Sequence, residues 1–208
     1  SAIIYYILKM QMHNLPTFST IVPYNLEDYV IIDANTRRNL EILETMREKK
    51  RQGSLLWAID KTSTNMGGRL FKKWISQPLI DVENIKTRQN AVSEIISNSK
   101  ARTKLAKLLS NTNDIERMGM RLANNTVNPR HFVGLKNSLM LIEDYQNVLK
   151  DLNSPLLNSF DGYEDLIDFA HILERTINDD PQSVLKDGNV VKKNVNAELD
   201  FFLDKLNN

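Results

Sequence analysis

Apolar and polar positions alternate with a helical period along most of the chain, most clearly over residues 55–92. Met66, Gly67, Leu70, Phe71, Trp74 and Ile75 recur on one face, while Arg69, Lys72, Lys73 and Ser76 take the other. Such a face is expected to be buried. Thr64 is placed to cap this helix, and Pro78 forces Gln77 out of helical geometry and ends it. A second helix starts at Asp81, a capping side chain, with Glu83 near its positive end and Val82, Ile85, Val92, Ile95 and Ile96 repeating along it.

The same reading extends in both directions. Ile3, Ile4, Ile7, Leu8, Met12 and Leu15 repeat at helical spacing with no capping sequence ahead of them, so the chain reads as starting inside a helix. Asp33 caps a helix expected over 34–43, with Leu40 and Leu43 inward and Arg37 and Arg38 outward. Short amphipathic helices follow over 101–109 and 115–122. Asn128-Pro129 opens a long helix marked by Phe132, Leu135, Leu139, Ile142, Leu149 and Leu152, since a proline loses nothing at the first helical position. Ser154-Pro155 repeats that start for a segment ending near Phe160. Tyr163, Leu166, Ile167, Ala170, Leu173 and Ile177 build another helix, closed by Asp179-Asp180-Pro181. Val184-Leu185 and Val190-Val191 flank Asp187-Gly188, a short hairpin signal. Leu199, Phe202, Leu203 and Leu206 begin a helix that runs to the last residue, so both ends read as cut from something longer. The expected fold is all-α, a multi-helix domain over residues 1–208 with at most one small β-ribbon near residue 187.

Composition narrows the classes. With 208 residues and 41% hydrophobic content the chain has ample material for a core, and its net charge is only +1. A protein that held nucleic acid by itself would show a clearly basic domain or face, which the overall balance does not announce. The absence of Cys excludes disulfides and cysteine-based zinc sites. The apolar opening is too short to span a membrane and no basic region precedes it, so a cytoplasmic location is expected.

Catalytic patterns are missing from the sequence. The phosphate-loop pattern G-x-x-x-x-G-K-[ST] does not occur. His13, His131 and His171 are far apart and make no metal-ligand pair, so no metal site is expected. Gly67-Gly68 before Arg69 reads as close helix packing rather than an anion nest. Trp57 and Trp74 are able to stack on bases, but the spacing puts Trp74 in the core. Carboxylate pairs such as Asp179-Asp180 and Asp200-Asp204 are routine on charged helices. The basic run 47–51 reads as a solvated helix end or loop rather than a phosphate contact. Arg69, Arg88, Arg117 and Arg121 are the polar residues to watch; a structural clamp is expected of the first two, with solvated placement as the reading for the others.

The stretch Thr62, Thr64, Met66, Gly67, Arg69, Leu70, Trp74, Pro78, Leu79, Ile85, Arg88 resembles a motif in the core domain of the MutS family of DNA mismatch-repair ATPases. Leu26-Glu27-Asp28-Tyr29 with 33–41, which includes Asp33, Thr36 and Asn39, resembles the family's entry motif. Asp114-Ile115-Glu116-Arg117 and Asn196-Ala197-Glu198-Leu199-Asp200 resemble later ones. One departure is Asn194, where members often carry Gly; Asn tolerates left-handed backbone, so the turn is expected to be kept.

The resemblance implies a core or lever domain, a helical hub that receives a connector domain, sends helices toward a DNA-gripping clamp and returns to an ATPase domain. It implies structural roles for Asp33, Thr36, Asn39, Thr62, Gly67, Arg69, Trp74, Pro78, Arg88, Glu198 and Asp200, and assigns no residue to DNA contact. No catalytic residue or cofactor is expected in these residues. ATP and Mg, mismatched duplex DNA and a dimer belong to the parent protein by resemblance, with the helix near Asn196 departing toward the clamp. No Phe here is followed two places later by Glu, as in the mismatch reader. Two other readings stay open: an autonomous DNA-binding module, motivated by Arg37-Arg38, Lys49-Lys50-Arg51 and Lys72-Lys73, and a MutS-like paralogue serving recombination.

Overall fold

The computed structural model describes residues 26–160, 162–184 and 188–206. The expected first helix, over residues 3–15, His13, and Leu185 and Asp187 of the expected hairpin lie outside them. Among the described residues the regular structure is helical apart from two isolated antiparallel bridges, Tyr29 with Leu79 and Ile177 with Val191.

A 3-10 turn, Leu26–Asp28, leads into α1 (Ala34–Asn39), α2 (Leu55–Ile59), α3 (Asn65–Ser76), α4 (Val82–Ser97), α5 (Ser99–Asn111) and α6 (Ile115–Ala123). Then come α7 (Pro129–Leu139), α8 (Ile142–Leu149), α9 (Pro155–Asn158), α10 (Glu164–Thr176) and α11 (Ala197–Leu206). Each of α1 to α7 starts on a side-chain oxygen that accepts a first-turn N–H: Asp33, Ser54, Thr64, Asp81, Asn98, Asp114 and Asn128 in turn. The donors freed at a helix start are thereby satisfied locally, which sets where each helix begins.

The core forms where α7 packs on α10, from Leu135, Leu139, Ile142, Ala170 and Leu173, with Ile115 and Met118 of α6 and Phe132, Phe160 and Tyr163 around it. Leu139 is 2% exposed, a burial worth roughly 2 kcal/mol. The α4–α5 and α5–α8 contacts extend the packing sideways.

Three expectations are corrected. The helix over 34–43 stops at Asn39, because Glu41 turns left-handed at φ 48, which leaves Leu40 61% exposed and buries Ile42 instead. The long helix from Asn128 is two: Leu141 N–H donates to Ser138 O, an i→i+3 bond that tightens the chain between α7 and α8. Among the described residues Val191 lies beside Ile177, with Asn178 N–H donating to Val190 O and Lys192 N–H to Thr176 O, so the described pairing is with the end of α10. Finally, the apolar face of α3 has no fully buried residue, and Leu70 is 50% exposed.

Candidate functional site

Arg69 sits in the second turn of α3 and crosses to the start of α6. Its Nη1 and Nη2 each donate to an Asp114 carboxylate oxygen at 2.7 Å, and its Nε donates to Glu116 Oε2 at 3.0 Å, with Nη2 also on Glu116. This is the two-pronged geometry a planar guanidinium allows and an ammonium does not. Asp114 meanwhile accepts the Arg117 N–H as cap of α6. The Arg69 bonds, with lesser help from the cap and the nearby Arg117, hold Asp114 down to about 2 against the pull of burial. The same carboxylates hold Arg69 more firmly protonated than an ordinary arginine. One residue thus ties two family-like segments that lie 45 positions apart.

Thr62, Thr64 and Gly67 form one local object. Thr62 donates its N–H and hydroxyl to Asp60 Oδ1 at 3.0 and 2.7 Å, and Arg51 donates to the other Asp60 oxygen. Thr64 Oγ1 caps α3 by accepting Gly67 N–H at 3.0 Å. A Cβ on Gly67 would stand 2.9 Å from Thr64 Oγ1, and one on Gly68 3.3 Å from Thr62 Oγ1. The two glycines therefore make room for the 60–64 loop folded back on the first turn, a correction to the expected helix-on-helix contact.

Trp74 and Arg88 join α3 to α4. The Arg88 guanidinium lies 3.7 Å from the Trp74 ring centroid, a cation–π stack in which Trp74 is half-buried rather than a core residue. Pro78 ends α3 and offers its carbonyl to Val30 N–H at 2.8 Å, beside the Tyr29–Leu79 bridge. Asp33 accepts Thr36 N–H at 2.7 Å, and Asn39 is the exposed last residue of α1. Asn194 takes the left-handed conformation at φ 67, and its N–H donates to Asp200 Oδ2 at 2.9 Å. Asn196 Oδ1 accepts the N–H groups of Glu198 and Leu199, with Glu198 itself exposed in the first turn of α11.

Several partners were not readable from the sequence. Glu94 accepts backbone N–H groups from Asn153 and Ser154. Lys136, only 5% exposed, donates to Asp179 Oδ1 at 2.7 Å and lies 2.7 Å from Glu174 Oε2, with Lys192 completing the cluster. Asn113 N–H donates to Ser138 Oγ where α6 meets α7. His131 Nδ1 accepts the Asn128 N–H in a capping box, and burial together with Arg121 holds the ring below its usual pKa. Arg117 stays largely exposed, 3.5 Å from Asp114. His171 is exposed.

Beside Arg69 lies an open cleft of about 1010 Å³, bounded by α1, the 44–51 loop, the 60–64 loop and α3. It brings together Arg37, Arg38, Lys49, Arg51 and Lys72 from the three basic runs noted in the sequence. Among the described residues no group of three His, Asp or Glu side chains is placed to hold a metal ion, and no helix is long and apolar enough to cross a membrane.

These contacts define an all-α domain whose helices are cross-braced by charged side chains at their crossings. A family profile described as MutS domain III matches residues 35–207, and the chain belongs to that family. It is similar to the DNA mismatch repair protein MutS of Clostridium perfringens, with 37% identity covering 96% of this chain and 22% of that protein. The namesake of Clostridium kluyveri is 40% identical over 96% of this chain and 23% of its own length, and that of Clostridium botulinum 38% over 100% and 22%. The chain thus spans less than a quarter of the curated relatives it matches.

Proposed function

We propose that residues 1–208 are the non-catalytic core, or lever, domain of a MutS-like DNA mismatch-repair protein, carrying conformational change between connector, clamp and ATPase domains. The Arg69 bridge to Asp114 and Glu116 is the observation that carries this reading. A guanidinium fixed at both prongs makes α3 and α6 move together, and stiff packed elements are what convey motion over distance. The names of the relatives favour repair over recombination.

In this reading ATP and Mg are held by the parent's ATPase domain, since the sequence here has no phosphate-loop pattern. Mismatched duplex is engaged through the parent, α11 leaves toward the clamp, and two copies of the parent pair. The chain's own residues perform no bond-making step.

The test uses the full-length parent carrying Arg69→Met. Binding of a mismatched duplex without nucleotide and basal ATP turnover are expected to persist, while ATP-triggered release of the duplex slows by roughly 5-fold or more, the lower end of usual coupling energies. Unchanged release kinetics would sink the proposal, as would ATP turnover by the isolated chain.

A further inference from the structure

The cleft beside Arg69 concentrates charge that the rest of the chain does not show. Its lining carries seven cations, Arg37, Arg38, Lys49, Arg51, Arg69, Lys72 and Arg117, against Glu44 and Asp60. Counting Asp114 and Glu116 behind Arg69 still leaves seven against four, a surplus of three in a chain of net charge +1. Arg51, Arg69 and Arg117 are committed to carboxylates. Among the described residues, none pairs with Arg38, Lys49 or Lys72. The fold holds these three together from separate stretches: Lys49 is fixed in a left-handed turn at φ 52, closed by Thr45 N–H on Lys50 O and Lys49 N–H on Thr45 O. Like charges gathered this way repel one another and are relieved by an anion.

The lining also says which anion. It contains no aromatic residue, so it offers no stacking platform for unpaired bases. An acidic protein segment would need apolar or aromatic anchors at its centre, and the apolar lining is limited to Ala34, Leu43 and Leu56, the last only 5% exposed. What remains is Ser63, Thr64 and Asn65, neutral side chains of the kind that commonly join Lys and Arg on phosphate oxygens, the Thr62 hydroxyl being given to Asp60. We infer that this cleft grips the sugar–phosphate backbone of duplex DNA without reading its bases, a contact made by the core domain itself. The contact is independent of the transmission role, which stands or falls on Arg69.

The experiment measures binding of the 208-residue chain to a labelled mixed-sequence duplex, across a series of salt concentrations. The triple variant Arg38→Glu, Lys49→Glu, Lys72→Glu is compared with Lys100→Glu, Lys104→Glu, Lys107→Glu, which makes the same charge change on the exposed side of α5. Thermal melting shows that each variant is folded. The wild-type chain is expected to bind duplexes of different sequence equally. The cleft variant is expected to weaken binding by roughly 10-fold or more at low salt and to flatten the log–log salt slope by about 0.9 per contact removed. The α5 variant is expected to stay much closer to wild type. Three results overturn the inference: no duplex binding at low salt, equal loss in both variants, or tighter binding of a single strand or an acidic peptide than of the duplex.

Discussion

The Glu94 carboxylate accepts the backbone N–H of Asn153 at 2.6 Å, 59 positions further along the chain, and the next N–H, that of Ser154, at 2.8 Å. Ser154 looks like the cap of α9, yet its own hydroxyl oxygen is buried with no partner among the described residues. The capping is done from outside, by a side chain of α4.

Replacing Glu94 by Gln therefore lowers the Tm, and Ala lowers it further, because donors at the start of α9 lose their acceptor. The Asn153 N–H, followed by that of Ser154, holds Glu94 below its ordinary pKa of 4.5. The stabilisation is present above that value and is lost as pH falls through the lower folded one. Melting curves of wild type and Glu94→Gln should converge toward acid; a constant gap down to low pH counts against this account.

For Asp114 the window is defined more closely. Its carboxyl titrates near 2 in the folded chain and near 3.8 unfolded, so its contribution is complete above about 3.8 and disappears between there and about 2. In Arg69→Met this acid-side loss should shrink, since the guanidinium is the main cause of the shift. Urea unfolding at successive pH values measures it.

Gly134 on α7 faces α6 closely enough that a Cβ there would stand 2.9 Å from Met118 Cε. Met118 Cε is the free end of a flexible side chain that can turn aside, so Gly134→Ala should keep most of the gain in helix propensity and stabilise the chain by up to about 1 kcal/mol, less whatever Met118 loses in moving. Met118→Ala makes a cavity but removes the group that has to move. The double variant should accordingly be more stable than the two single effects predict, a coupling that a double-mutant cycle reads directly.

At Lys136 the two sides of the ion cluster are unequal. Its side chain is 7% exposed, whereas those of Glu174 and Asp179 are 42% and 71% exposed. Lys136→Met should change stability by no more than about 1 kcal/mol, because the carboxylates rehydrate and keep Lys192. Glu174→Gln with Asp179→Asn strands a desolvated cation and should lower the Tm by several degrees more. Burial depresses the Lys136 pKa, but Asp179 and Glu174 together outweigh it and raise it above 10.5. Its favourable contribution is therefore present below that pH and fades as pH climbs through the folded value.

Helix starts were legible because Asp33, Thr64, Asp81 and Asn128 each precede an apolar repeat, where a short acceptor side chain has one economical use. The division between α7 and α8 was not, since residues 135–149 contain neither Gly nor Pro and the tightening arises from packing. The site was half legible. Arg69 and Arg88 stood out, but Asp114, Glu116 and the stacking face of Trp74 became partners only through folding. The basic run 47–51 read as solvated because nothing in linear spacing brings Lys49 toward Arg38 and Lys72.

The corner ahead of the last helix has a mechanical implication. Asn194, held at φ 67, and Asp200, reaching back to its N–H, decide the heading of α11 in a few residues, while Phe201 and Phe202 remain more than half exposed. A substitution at either residue should therefore turn the described length of α11 as one body, rather than bending it part-way along.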